Sequence, residues 1–449
     1  MFEAPAEPTP VVEPAAPAAV APPEPAVDLG GYVRGDVFVG KVPGFDQGIL
    51  QAGYGELALS VDARDGSIGS AHAEARVRSG LQAGERELSL DLREAYVDAY
   101  LGPVDLRVGQ QIIVWGRADG INPTNNLMPF DLRVRSPIED DRRVGNFGLR
   151  AFYNLSPVRL EGVWLPLYVA AHYPPIALPE YVVMRAARFP EPELEKGLGA
   201  GRVHVELAAF EASISYVRGY APLPGIALRD FTVGVDPPEV RVARTAYAQH
   251  VVGFDASTAL GDVLTLRAEA AYRRPDGYQD RVYAARPDVQ YVVGVDRTFG
   301  SISVIAQYIG RYVLDWARED GPEDPIEPET LARFMEPLPR SLRASITQSI
   351  EDELAMRNQI VFQQTARVQH MASLRVEWLA LHDTLSLSAL GYVNFSTREW
   401  LAFPKLGYRI SDAMTAYLGA ELYVGPDHTL FDLIDGQLTA GYAELRYAF

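Results

Sequence analysis

From Gly31 onward, small or apolar residues alternate with polar ones in segments of about ten residues, the pattern of strands wetted on one face. In 71–78, Ala71, Ala73, Ala75 and Val77 share one face, while His72, Glu74, Arg76 and Arg78 share the other. Val203, Val205 and Leu207 oppose Arg202, His204 and Glu206 in the same way. Leu264, Leu266, Ala268, Ala270 and Tyr272 oppose Thr265, Arg267, Glu269 and Arg273. Leu374, Val376, Trp378 and Ala380 oppose Arg375 and Glu377, and Leu385, Leu387, Ala389, Gly391, Val393 and Phe395 oppose mainly Ser386, Ser388 and Asn394. Because strand side chains point to opposite faces with period two, so many repeats predict one large sheet with an apolar and a wet face.

Connections between these segments are of two kinds. Short links stand at Leu101-Gly102-Pro103, Asn154-Leu155-Ser156-Pro157, Leu260-Gly261-Asp262, Phe299-Gly300-Ser301, His382-Asp383 and Ser411-Asp412-Ala413. They alternate with long loops over 116–143, 169–200, 222–244, 276–287, 316–364 and 426–436. This asymmetry is that of short periplasmic turns and long extracellular loops in an all-β, transmembrane antiparallel barrel of about 18 strands. Closure removes sheet edges, which hydrocarbon does not tolerate because unpaired backbone groups there cost several kcal/mol each. A soluble sandwich or propeller would alternate too, but it accounts less well for loops that are long on one side only.

Composition narrows the class further. The chain has 449 residues, and its uncharged stretches, such as Gly162 to Pro179, are interrupted by prolines, so helical spanning is not expected. A net charge of -18 without a basic cluster argues against nucleic acid, and the absence of cysteine suits an oxidising compartment. Residues 1–28 are Ala/Pro-rich and carry no positive n-region, so an export signal is expected to lie outside this sequence. They read as a periplasmic linker or a disordered segment that offers a surface to a periplasmic partner, with the barrel over 29–449. The expected setting is the Gram-negative outer membrane, with both termini periplasmic and lipid and lipopolysaccharide as surroundings.

With the polar face inward, the lumen collects Arg34, Asp36, Glu56, Asp62, His72, Glu74, Arg76, Arg78, Arg107, Arg202, His204, Glu206, Arg267, Glu269, Arg375 and Glu377. Two readings stand: opposite charges brace the wall across strands, or Arg34, Arg76, Arg78 and Arg107 form an anion-attracting ladder. After the fifth strand the chain reads GQQIIVWGRADGINPTNN, rich in turn formers. An ordered loop of this kind either folds inward as a constriction or packs on the rim; as a constriction, Arg117, Asp119, Asn122 and Asn125 are the pore contacts.

The run VGQQIIVWGRADGINPTNNLMPFD resembles a segment of DUF1302-like and alginate-export-like proteobacterial outer-membrane proteins, and Val163-Trp164-Leu165-Pro166 resembles the Trp-Pro element that follows it there. The resemblance covers residues 106–166, the strand layout and the terminal Phe449. Gln110 departs from it, since a basic residue commonly stands there. It implies an 18-stranded barrel that moves a substrate, polyanionic polysaccharide in one branch and hydrophobic molecules in another. It also implies that the barrel-assembly machinery reads the last strand, where Ala443, Leu445, Tyr447 and Phe449 share a face.

Two further loops stand out. Tyr173 to Pro179 and Tyr181 to Met184 are apolar, which suits either packing or an apolar cargo at the mouth. Glu319 to Glu329 is acidic, and Leu342, Ile346, Ile350 and Leu354 follow at helical spacing, so a helix that caps or plugs the pore is expected. The acidic stretch is either solvated or a site for divalent ions that bridge lipopolysaccharide. Neither HExxH nor GxSxG occurs, and neither a catalytic centre, a cofactor nor a metal site is expected. The leading expectation is therefore a solute channel, and the alternative is a non-conducting anchor or adhesin with a filled barrel.

Overall fold

The computed structural model describes residues 26–40, 48–82, 84–173, 179–234, 238–261, 263–322, 328–334 and 337–449. Its strands are β1 (Ala26–Gly40), β2 (Ile49–Asp65), β3 (Gly69–Gln82), β4 (Glu85–Leu101), β5 (Val104–Gln111), β6 (Asn146–Leu155) and β7 (Val158–Leu165). There follow β8 (Val182–Met184), β9 (Leu198–Glu206), β10 (Phe210–Tyr220), β11 (Gly225–Phe231), β12 (Val240–Thr245), β13 (Ala248–Leu260) and β14 (Leu264–Pro275). The last are β15 (Asp288–Phe299), β16 (Ile302–Val313), β17 (Val368–Ala380), β18 (Leu385–Asn394), β19 (Glu399–Arg409), β20 (Met414–Val424) and β21 (Ala440–Ala448). Among the described residues three helices are longer than a single turn, α1 (Pro328–Arg333), α2 (Arg340–Val361) and α3 (Leu430–Leu438).

All strands except β8, β11 and β12 form one 18-stranded antiparallel sheet, and β1 closes it by pairing with both β2 and β21. The closing register runs from Tyr32 opposite Ala448 to Gly40 opposite Ala440. Alternation sets the two faces. Val33 and Val37 are about half exposed on the outer wall, while Arg34 and Asp36 between them are 1% exposed inside. The last strand follows the same rule, with Leu445, Tyr447 and Phe449 exposed and Tyr442 and Glu444 buried.

The two ends of the barrel differ as the sequence indicated. At one end β2/β3, β4/β5, β6/β7, β9/β10, β13/β14, β15/β16, β17/β18 and β19/β20 meet in short turns; at Gly300 the turn takes φ +60, which glycine adopts without strain. The other end carries the connections 112–145, 166–197, 221–247, 276–287, 314–367 and 425–439. Residues 1–25 of the Pro-rich segment lie outside the described residues, and Ala26 already opens β1. Residues 174–178 of the apolar loop and 323–327 of the acidic stretch also lie outside them.

At the long-loop end, β11 and β12 pair antiparallel and β8 adds parallel to β12. This small sheet forms a core with the helices: Phe231, Val233, Val240, Val242, Leu331, Ile346 and Leu354 are buried together, with Tyr181, Val182, Leu342 and Ile350 packed against them. The expected helix is therefore present, but its apolar stripe packs on this sheet. Only its C-terminal end, at Val361, reaches the lumen. None of the described helices is long and apolar enough to cross a membrane.

Candidate functional site in the barrel lumen

Residues 112–145, the inner loop, fold into the barrel and are tied to its wall on several sides. Glycine makes the entry: Gly116 has φ +99, and a Cβ there would lie 1.9 Å from Asn122 Oδ1. Beyond it Arg117 donates to Asp255 of β13 at 2.7 Å and to Glu211 of β10. Glu269 of β14 accepts from Arg117 N (2.9 Å), Ala118 N (3.1 Å), Thr124 N (2.7 Å) and Thr124 Oγ1 (2.9 Å), so one carboxylate gathers a whole turn of the loop. Asp119 accepts from Arg375 of β17 at 2.7 Å, and Trp115 donates to Glu161 of β7 at 2.9 Å.

The second half of the loop is fixed elsewhere. Asp141 pairs with Arg34 of β1 at 2.6 Å and Arg76 of β3 at 2.7 Å. Arg142 and Arg135 pair with Glu421 of β20 at 2.7 and 3.1 Å. Burial would push the Asp141 carboxyl up, but Arg34, Arg76 and the Ser136 hydroxyl outweigh it and hold the group well below the usual carboxylate range. The loop therefore carries its own charges to complementary ones on the wall, and it crosses the lumen between them.

The wall charges serve mainly in pairs. Arg34 also meets Glu56 at 2.7 Å and lies 3.4 Å from Asp36, whose neighbour across the closing seam is Glu444. Arg78 pairs with Glu56 at 2.6 Å, Arg76 with Glu74 at 2.6 Å, and Arg107 with Asp98 at 2.8 Å. His72 meets Asp62 at 2.8 Å, His204 meets Glu161 at 3.0 Å, Arg202 meets Asp255 at 2.6 Å, and Arg267 pairs with Asp296. Glu206 is exposed near the short-turn end. The four arginines named as a ladder each have a carboxylate partner; for Arg34, Arg78 and Arg107 it stands on the neighbouring strand, the geometry of cross-strand bracing, while Arg76 pairs within β3 and with the inner loop.

On the long-loop side of the inner loop lies a cavity of about 770 Å³. Asp119 lines it, together with Gly120, Ile121, Asn126, Glu139 and Arg142 of the same loop. Arg117, Asn122 and Asn125 are not among its lining residues: Arg117 is spent on Asp255 and Glu211, and Asn122 packs over Gly116. Much of the remaining lining comes from the barrel strands. Arg273, Asp288 and Arg311 stand on β14 to β16, and Leu390, Tyr392, Leu401, Phe403, Lys405 and Tyr423 on β18 to β20.

Comparison with known proteins supports the same architecture. Residues 55–139, from β2 into the inner loop, match the family described as protein of unknown function (DUF1302). Over those residues the chain is similar to DUF1302 proteins. Among solved structures this DUF1302-like barrel is similar to OccK8 (OprE) of Pseudomonas aeruginosa, with a TM-score of 0.53 at 9% identity over 94% of this chain and 97% of that one. A BenF-like porin from Pseudomonas fluorescens Pf-5 gives 0.51 at 11% over 95% and 98%. OccK2 (OpdF) of Pseudomonas aeruginosa, solved in complex with glucuronate, gives 0.51 at 11% over 94% and 96%. At such identity the agreement is one of fold, an outer-membrane porin-type barrel. None of the curated proteins matches the sequence.

Proposed function

We propose that this chain is an outer-membrane channel that passes solutes, with the inner loop as its constriction. The observation that carries the reading is the loop itself, held across the lumen by Glu269, Arg375, Arg34 and Glu421 below an open cavity. Asp119 is the contact at the narrowing, while Arg117, Asn122 and Asn125 keep the loop in shape. In this reading the long loops are extracellular and both termini periplasmic, as in outer-membrane barrels generally. Lipid and lipopolysaccharide surround the wall, the assembly machinery engages the strand that ends at Phe449, and the Pro-rich segment is free to meet a periplasmic partner. No catalytic step is assigned.

The dense ion pairing along β1 to β3 favours a second reading, an anchor whose lumen is filled. Conductance of the purified protein in a planar bilayer separates the two. Stable open-channel steps support the channel; a barrel that inserts yet stays closed, with and without residues 116–143, overturns it.

A further inference from the structure

The cavity has two unlike walls. On β19, Leu401, Phe403 and Lys405 all line it. Alternate strand positions are spaced about 7 Å apart, so the lumen meets two apolar side chains and then a cation as it runs toward the short-turn end. Aromatic groups from neighbouring elements extend the apolar part. Phe403 and Tyr423 have ring centroids 5.4 Å apart, Tyr423 and Phe431 5.6 Å, and Tyr392 and Phe431 6.0 Å. Here α3 dips its Phe431 face into the barrel. A porin lumen is ordinarily polar, and apolar surface left facing open space marks a contact.

The charges around this belt are mostly spent. Arg273 and Arg311 share Asp288, Arg142 holds Glu421, Arg286 holds Glu319, and Arg375 holds Asp119. Lys405 forms no ion pair among the described residues; its Nζ stands 5.6 Å from the Tyr417 ring centroid. Among the described residues Glu139 is the lining carboxylate without an ion pair, but it belongs to the inner loop and not to the belt. Six basic residues line the cavity (Arg142, Arg273, Arg286, Arg311, Arg375, Lys405) against four acidic ones (Asp119, Glu139, Asp288, Glu421). This positive site lies in a chain of net charge -18.

We propose that the cavity binds an amphiphile whose ring system or chain lies against Leu401, Phe403, Tyr423 and Phe431 and whose anionic group meets Lys405. Its volume is that of clefts enclosing drug-sized ligands. Calling this ligand a passenger rests on the channel reading; binding itself does not.

The test titrates the full-length protein in lipid nanodiscs with pyrene-1-carboxylate, subtracting empty nanodiscs, beside 1-pyrenemethylammonium and glucuronate as probes. Saturable binding of the carboxylate is expected. Phe403→Ser weakens it about ten-fold or more by removing apolar contact. Lys405→Gln weakens it about ten-fold and Lys405→Arg restores it. Leu401→Asn is the second belt variant should Phe403→Ser fail to insert. Equal binding by wild type and both belt variants, preference for the ammonium probe, or displacement by glucuronate overturns the proposal. A barrel that conducts but binds no pyrene carboxylate defeats this inference alone, whereas one that binds but never conducts defeats the channel reading alone.

Discussion

Along β1 to β3 the inward positions Arg34, Glu56, Arg76 and Arg78 are charged and joined to one another or to the inner loop. Along β18 to β20 the inward positions include Leu390, Tyr392, Leu401, Phe403 and Tyr423, and they border open space. The strand geometry is the same in both regions, so the difference lies in side-chain chemistry. Charges that find partners fill volume and fix a loop; apolar groups without a filling partner leave room for a guest. The lumen is thus divided into a braced half and a receptive half.

Removing the brace altogether should have the largest effect. Deletion of residues 116–143 is expected to raise single-channel conductance several-fold while leaving pyrene carboxylate able to reach the β19 belt. Unchanged conductance would mean that the loop is not the narrowest point. Arg34→Met comes next, since it removes the cation that Glu56 and Asp141 share and leaves them only Arg78 and Arg76 respectively. Breaking such a cluster costs about 3–5 kcal/mol, read as a lower urea midpoint of the folded barrel.

Glu269→Gln keeps shape but loses charge-assisted acceptance from the loop turn. A cost of about 2 kcal/mol is expected, with noisier open-channel current. Acidification tests Asp141, whose carboxyl is lowered in the folded loop. Its contribution is fully present above the ordinary carboxylate value of about 3.9 and is lost as pH falls through the depressed one. Conductance should therefore match between about pH 7 and pH 5, with release of the loop only below about pH 3. Glu206→Gln, at an exposed position, should stay within about 0.5 kcal/mol of wild type.

Much of the fold was readable because period-two alternation is local. The strand at 71–78, the turn at Gly300 and the loop at 276–287 each follow from neighbouring residues alone. The belt was harder to see. In Leu385 to Phe395 the wet face, read mainly from Ser386, Ser388 and Asn394, also carries Leu390 and Tyr392, and alternation alone gives apolar residues on that face no role. The roles of Glu139, Asp141 and Arg142 were hidden for another reason. A short charged run reads as a solvated turn, and its partners Arg34 and Glu421 lie far away in sequence. Arg117 and Asp119 stood out by their surroundings of glycine and asparagine, but only three-dimensional pairing distinguishes an anchor from a lining residue.

The ties of the inner loop have a bearing on how the chain is built. Its contacts to Glu269, Arg375 and Glu421 span 152, 256 and 279 positions. Contacts so distant in sequence form late, because loop-closure entropy must be met before they are rewarded. When synthesis or insertion has reached only β13, the loop already has Arg34, Arg76, Glu161, Glu211 and Asp255 to meet, but not Glu269, Arg375 or Glu421. The loop can therefore be fully moored only when the C-terminal strands arrive, so completion of the wall and fixing of the loop are a single closing event.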